Sequence, residues 1–169
     1  MADFKWSLRE QKLITMTKNS TDKVYITQTV MVAIRDTVGR HPAETGGILG
    51  ADTSSVISHY YFDHSGISKE TGYTPDVTAV NKILADRWMP NNVLMVGIVH
   101  SHANMNCVPS CGDISYGIRI LQALDTVDKF YLPIVTQTPN GVCMNFYVML
   151  RDSERGFVCK QIEYAVIDE

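Results

Sequence analysis

Apolar positions along the chain fall into short runs with two different periods. "KVYIT" at 23–27 alternates as a strand does. Val30, Ile34 and Val38 then recur at helical spacing, so a helix is expected from about 28 to 40, with Thr27 as its N-cap. "HPAETGGILGA" breaks that helix at Pro42 and enters a second strand after Glu44. "SSVISHYYFD" alternates as a third strand, and 64–75, rich in glycine and serine and ending in proline, reads as a loop. Asp76 opens a second helix, "DVTAVNKILADRW", with Val77, Val80, Ile83, Leu84 and Trp88 on one face, and "MPNN" ends it. "VLMVGIVHS" is a nearly unbroken apolar run rich in valine, which suits a central strand covered on both faces. A third helix is expected from about 112 to 127. "FYLPIVTQ" and "GVCMNFYVML" are joined by "TPNG" as a hairpin, with Pro133 making the first an edge or irregular strand. "FVCKQIEYAVI" closes the chain as a strand. The sum is an α/β fold, a mixed sheet of about six or seven strands packed with three helices.

Length and composition narrow the function classes. The 169 residues suit one domain, read from about residue 10 to the end. A domain of that size buries roughly 70% of its unfolded surface, so no metal is needed merely to hold it together. A hydrophobic share of 45% and a charged share of 20% are ordinary globular values. The net charge of -3, without a lysine or arginine cluster, argues against nucleic acid as a partner. No apolar run approaches the roughly 20 residues that span a bilayer, so no membrane partner is expected. The polar start "MADFKWSLRE" lacks the apolar core of a secretory signal, and a cytoplasmic location is expected. The four cysteines, Cys107, Cys111, Cys143 and Cys159, are too sparse for a disulfide scaffold and are expected as thiols.

The chemistry concentrates in "VGIVHSHANMNCVPSCGDISYG" at 96–117. Successive strand residues point to opposite faces, so His100 and His102 share a face about 7 Å apart along the strand. Two neutral imidazoles so placed can bind one zinc at about 2.0 Å each. Ser110 and Asp113 fall at the start of the third helix, where they match a capping box. A carboxylate there can fold back over the strand end as a third ligand. Two histidines, one carboxylate and an open position form the arrangement of catalytic, not structural, zinc sites.

His100, Ser101 and His102, then seven residues, then Ser110 and Asp113 resemble the JAMM motif of the JAB/MPN zinc isopeptidases. That family also has a glutamate at the start of the strand after the first helix. Glu44 stands there, in "ETGGILG", which resembles the prokaryotic members. The likeness covers about residues 24–150 and includes the order helix, Glu-bearing strand, strand, helix, His-bearing strand, Ser/Asp-bearing helix. It implies a JAB/MPN-like single domain over residues 1–169, with cytidine-deaminase-like layering. It further implies one Zn2+ per chain on His100, His102 and Asp113, with Glu44 as general base and Ser110 as hydrogen-bond donor to the oxyanion.

The implied reaction is hydrolysis of the peptide or isopeptide bond after the C-terminal glycine of a ubiquitin-like protein. The implied setting is a bacterial conjugation system with E1- and E2-like partners, including antiphage defence systems. Two alternatives stand beside it: the same zinc chemistry on a sulfur-carrier protein of the ubiquitin-like class, and a non-catalytic MPN scaffold. This chain departs from the family at Ala103, where many members have proline. It also carries Cys107 and Cys111 between and beside the ligands, where a thiolate would fill the open zinc position or respond to oxidation, or the two are simply small loop residues.

Overall fold

A computed structural model describes residues 23–168 apart from 42, 53–55, 71, 104, 125–126 and 155. In chain order the strands and helices are β1 (Lys23–Thr27), α1 (Gln28–Asp36), β2 (Gly46–Ala51), β3 (Val56–Ile57), β4 (His59–Phe62), β5 (Ile67–Lys69), β6 (Gly72–Thr74), α2 (Val77–Ile83), β7 (Leu94–His102), α3 (Cys111–Ala123), β8 (Lys129–Tyr131), β9 (Ile134–Thr138), β10 (Gly141–Asp152) and β11 (Gly156–Ile167). The architecture is the expected mixed α/β sheet, with three α-helices among the described residues, and the order of the motif-bearing elements is the expected one.

Among the described residues nine strands form one sheet in the order β3, β1, β11, β10, β8, β7, β2, β4, with β9 also joining β10 to β7. The count exceeds six or seven for identifiable reasons. Residues expected as one strand over 54–63 divide at Ser58: β3 pairs with β1, and β4 pairs with β2. Those partners lie near opposite ends of the strand order, so the sheet curls and this short segment bridges its two ends. Residues 54 and 55 of that stretch lie outside the described residues.

The "FYLPIVTQ" strand likewise breaks at Leu132 and Pro133 into β8 and β9. Both pieces lie between β7 and β10, so Pro133 marks an irregular strand and not an edge. The ladder survives the missing N–H because Leu132 N donates to Tyr147 O at 2.8 Å and the Pro133 carbonyl accepts from His100 N at 3.3 Å. The third departure is at 64–75, expected as a loop, where β5 and β6 form a separate two-stranded hairpin.

Helix boundaries follow local chemistry. Thr27 caps α1 by accepting from Val30 N. The helix ends at Asp36, short of the expected residue 40, where the Thr37 backbone leaves helical geometry and its hydroxyl donates to the Ala33 carbonyl. The expected breaker, Pro42, lies outside the described residues. Asp76 caps α2 through Thr78 N and Ala79 N, and the helix continues as one wide turn over Leu84–Trp88 before Pro90 and left-handed Asn92 end it. α3 stops at Ala123 instead of about 127, and 125–126 are not described.

Strand alternation places two apolar cores on opposite faces of the sheet. Leu49 and Val99 pack with Val30, Ile34 and Val38 of the α1 side, whereas Ile48 and Ile98 pack with Val80, Trp88, Ile114 and Leu121 of the α2 and α3 side. A fully buried side chain such as Leu121 or Phe130 contributes about 1.5–3 kcal/mol. His100 and His102 follow Ile98 at two-residue steps and therefore face α3.

Candidate metal centre

The last turns of β7 are held from both sides. His100 is in register with Gly46 of β2 and Ile134 of β9, and His102 with Thr136 of β9. Thr45 N donates to Ser101 Oγ at 3.0 Å, and Ser101 N to Thr45 O at 2.9 Å, tying the intervening residue to the opposite face. Both histidines are buried. Facing them, Ser110 caps α3 and Asp113 completes the box: Asp113 N donates to Ser110 Oγ at 3.2 Å, and Ser110 N to Asp113 Oδ2 at 2.6 Å.

Three donor atoms converge. His100 Nε2 and His102 Nε2 lie 3.0 Å apart, and Asp113 reaches them at 3.0 Å through Oδ1 and 3.2 Å through Oδ2. Atoms each about 2.0 Å from a tetrahedral ion are about 3.3 Å from one another, so these separations suit one small divalent ion.

Proton accounting shows that the three groups need a shared positive charge, either a metal ion or a proton. His102 Nδ1 is 2.8 Å from the Asn106 carbonyl, which can only accept, so Nδ1 carries the hydrogen. Neutral His102 then presents a lone pair at Nε2 toward a carboxylate oxygen, and only a cation or a further proton relieves that opposition. Burial works to lower the His102 pKa, but hydrogen bonds to Asp113 and Asn106 and the charges of Asp113 and Glu44 outweigh it and raise it. Burial works to raise that of Asp113, but bonds from the two histidines in their protonated form hold it well below the usual carboxylate range. Two imidazole nitrogens and a carboxylate are a zinc-type donor set.

Glu44 and Ser110 line the same cleft, of about 890 Å³, as His100, His102 and Asp113. Glu44 is half-buried and stands apart from the three-ligand group. Its Oε1 accepts from Ala103 N at 3.5 Å, the long limit of a hydrogen bond, and its own N–H donates to Lys69 O of β5 at 3.1 Å. The proline expected at 103 would have no N–H to offer. Ser110 Oγ accepts the helix N–H, which leaves its own proton free to donate into the cleft.

The opposite wall is the β5–β6 hairpin, with Glu70, Gly72, Tyr73, Thr74 and Pro75 lining the cleft. Buried Asp63 anchors it, accepting from Tyr73 Oη at 2.7 Å, Asp76 N at 2.8 Å and Ser65 N at 3.2 Å. Burial, and then the Asp63 bond and charge, raise the Tyr73 pKa and keep the phenol protonated as a donor. The Tyr73 ring lies over Gly46, where a Cβ would collide with it.

No protein-family model matches the chain, and no curated protein matches it. Among solved structures it is similar to protein DSY2949 from Desulfitobacterium hafniense, at 16% identity and a TM-score of 0.64 over 86% of this chain and 94% of that one. It was also matched to AF2198, a JAB1/MPN domain protein from Archaeoglobus fulgidus, at 18% identity and a TM-score of 0.47 over 88% of this chain and all of that one. The likeness to DSY2949 shows a shared fold.

All five residues singled out from the sequence thus lie on one cleft, three as a ligand set and two beside it. Neither Cys107 nor Cys111 belongs to the ligand group: Cys111 is exposed, and Cys107 Sγ lies 2.9 Å from Thr136 Oγ1. His41, His59 and His64 contact Phe62 or Trp88 and lie outside that group. Sequence reasoning missed the Asn106 carbonyl, a backbone group that leaves no residue-type signal, and the hairpin wall. Alternation at Ile67, Ser68 and Lys69 was too short to separate from a loop, although Asp63 and Asp76 mark its two ends.

Proposed function

We propose that the protein is a zinc-dependent hydrolase of the JAB/MPN type that cleaves the peptide or isopeptide bond after the C-terminal glycine of a ubiquitin-like protein. The observation that carries the hydrolytic part is the convergence of His100, His102 and Asp113 at 3.0–3.2 Å on a cleft that Glu44 and Ser110 also line. Zinc, when bound there, acidifies a water and polarises a carbonyl. Asn106 fixes the His102 tautomer through Nδ1, and Asp113 is oriented by its bond from Ser110 N. Glu44 takes a proton on its carboxylate and returns one to the departing amine. The Ser110 hydroxyl donates to the oxygen that becomes negative.

The substrate class rests on the motif resemblance, and the shape of the cleft is compatible with it. β6 pairs with β5 alone among the described residues, and its residues line the cleft, so an extended tail can add to it by backbone hydrogen bonds. Glycines suit a tail that passes closely between Tyr73 and the ligands. The biological setting proposed is a conjugation system with E1- and E2-like partners.

The test is a panel of ubiquitin-like and sulfur-carrier proteins ending in Gly-Gly and extended by a short peptide, incubated with the zinc-loaded protein. A free glycine carboxylate, detected by mass spectrometry for one member and absent with Glu44→Gln, is the expected result. Intact fusions throughout, with one zinc held per chain, would overturn the substrate class while leaving the metal centre standing.

A further inference from the structure

Between His102 and Ser110, Cys107 is tethered by a second chemistry. Cys107 Sγ lies 3.9 Å from Cys143 Sγ and 2.9 Å from Thr136 Oγ1. Thr136 is the register partner of both His102 on β7 and Cys143 on β10, so His102, Thr136 and Cys143 form one transverse row of the sheet. Asn106 and Cys107 lie against this row. The Asn106 carbonyl meets His102 Nδ1, and the Cys107 carbonyl accepts from Tyr147 Oη at 2.9 Å. Cys107 is half-buried and Cys143 exposed, so a small oxidant reaches both, whereas Cys159 is buried.

We propose that Cys107 and Cys143 are a redox-active dithiol whose oxidation to a disulfide displaces the carbonyl that orients His102. With hydrogen peroxide as oxidant, the Cys107 thiolate attacks one oxygen, the O–O bond breaks, and Cys107 becomes a sulfenic acid while the other oxygen leaves as water after taking a proton. Cys143 sulfur then displaces the sulfenic oxygen, which leaves as a second water, and the S–S bond forms. Two thiols are oxidised and one peroxide is reduced to two waters. Thr136 Oγ1 is placed to donate to a Cys107 thiolate, which assigns Cys107 the first step.

Closing 3.9 Å to the roughly 2.05 Å of a disulfide draws Cys107 toward β10. Its neighbour Asn106 moves with it, away from His102. The dithiol stands by itself. Its coupling to the centre rests on the proposed reading of His102 as a metal ligand, and loss of such an orienting partner typically weakens metal binding by about 10–100-fold.

The experiment treats the reduced full chain with graded hydrogen peroxide, alkylates it under denaturing conditions and maps the peptides, with zinc affinity measured in parallel against a chelating dye. A Cys107–Cys143 bridge that dithiothreitol reverses is expected, with zinc binding at least about tenfold weaker in the oxidised protein. Zinc binding by Cys143→Ser should be insensitive to the same treatment. Four alkylated thiols, or a bridge from Cys107 to Cys111, would overturn the dithiol. The expected bridge with unchanged zinc affinity would overturn the coupling. Reduced protein that binds no zinc would overturn the metal reading and the coupling with it, leaving the bridge as a separate result.

Discussion

The two walls of the cleft are built by different means. The α3 wall is local: Ser110 and Asp113, three residues apart, satisfy each other's backbone N–H groups, and the same Asp113 side chain reaches back to His100 and His102. The wall that carries Glu44 is assembled from distant pieces. Glu44 is held by Lys69 of β5 and Ala103 beyond β7, and the hairpin beside it hangs on Asp63 and on the absence of a side chain at Gly46. A locally specified ligand set should tolerate disturbance of the far wall, and the far wall should govern turnover and substrate affinity without governing metal content.

The largest effect is expected from His102→Ala. Elemental analysis after dialysis should fall from about one zinc per chain to nearly none, and hydrolysis should vanish; full zinc retention would remove His102 from the ligand set. Glu44→Gln should keep its zinc and lose roughly 10²–10⁴ in kcat, and a variant with near-native turnover would show that Glu44 handles no proton. Ser110→Ala touches both walls' logic. It should cost about 10²–10³ in kcat through the lost donor and about 1 kcal/mol of stability through the lost cap, and Ser110→Asp should restore the second loss but not the first. If thermal unfolding and kcat recover together in Ser110→Asp, the hydroxyl is structural only.

Gly46→Ala should push Tyr73 and the hairpin outward and press on the Val99 carbonyl of β7. A KM rise of about tenfold, near 1.4 kcal/mol, is expected, and zinc loss would mean that the strain also passes along β7 to His100. Ala103→Pro should have the smallest effect, since it removes one long hydrogen bond to Glu44: less than about 1 kcal/mol in the barrier for hydrolysis, read as kcat.

The redox pair extends the comparison, because it acts on the locally built side from across the sheet. Cys107 belongs by sequence to the ligand-bearing segment, and its partner Cys143 is brought to it by β10. The sequence pointed to Cys107 and Cys111 as the neighbouring thiols; pairing across the sheet brings Cys143 within 3.9 Å of Cys107. A dithiol thirty-six residues apart has no spacing rule, whereas the register that aligns Thr136 with both His102 and Cys143 leaves one arrangement.

Legibility in the sequence followed the range of the interactions. Thr27, Asp76 and Ser110 were readable as caps because each hydrogen bond spans two or three residues. His100 and His102 were readable as one face because strand parity is a local property. The strand count was not. Whether "SSVISHYYFD" is one strand or two depends on which neighbours lie beside Ile57 and Tyr60, and Pro133 reads as marking either an edge or an irregular strand until Tyr147 and His100 supply the bonds around it. The hairpin at 67–74 was hidden for the same reason: three-residue strands carry too little alternation, and its stability comes from Asp63 accepting three hydrogen bonds.

What the sequence determined by itself is the chemistry available: a histidine pair on one face, an acid on a capped helix start and a glutamate after a helix, each set by backbone periods of two or 3.6 residues. Only the tertiary structure decided that these groups meet. The curled sheet brings Glu44 alongside β7 and turns His100 and His102 toward α3. It also places the Asn106 carbonyl on His102 and Cys143 under Cys107. Such meetings depend on packing both faces of the sheet at once, and that cooperative condition is carried by no single segment of the chain.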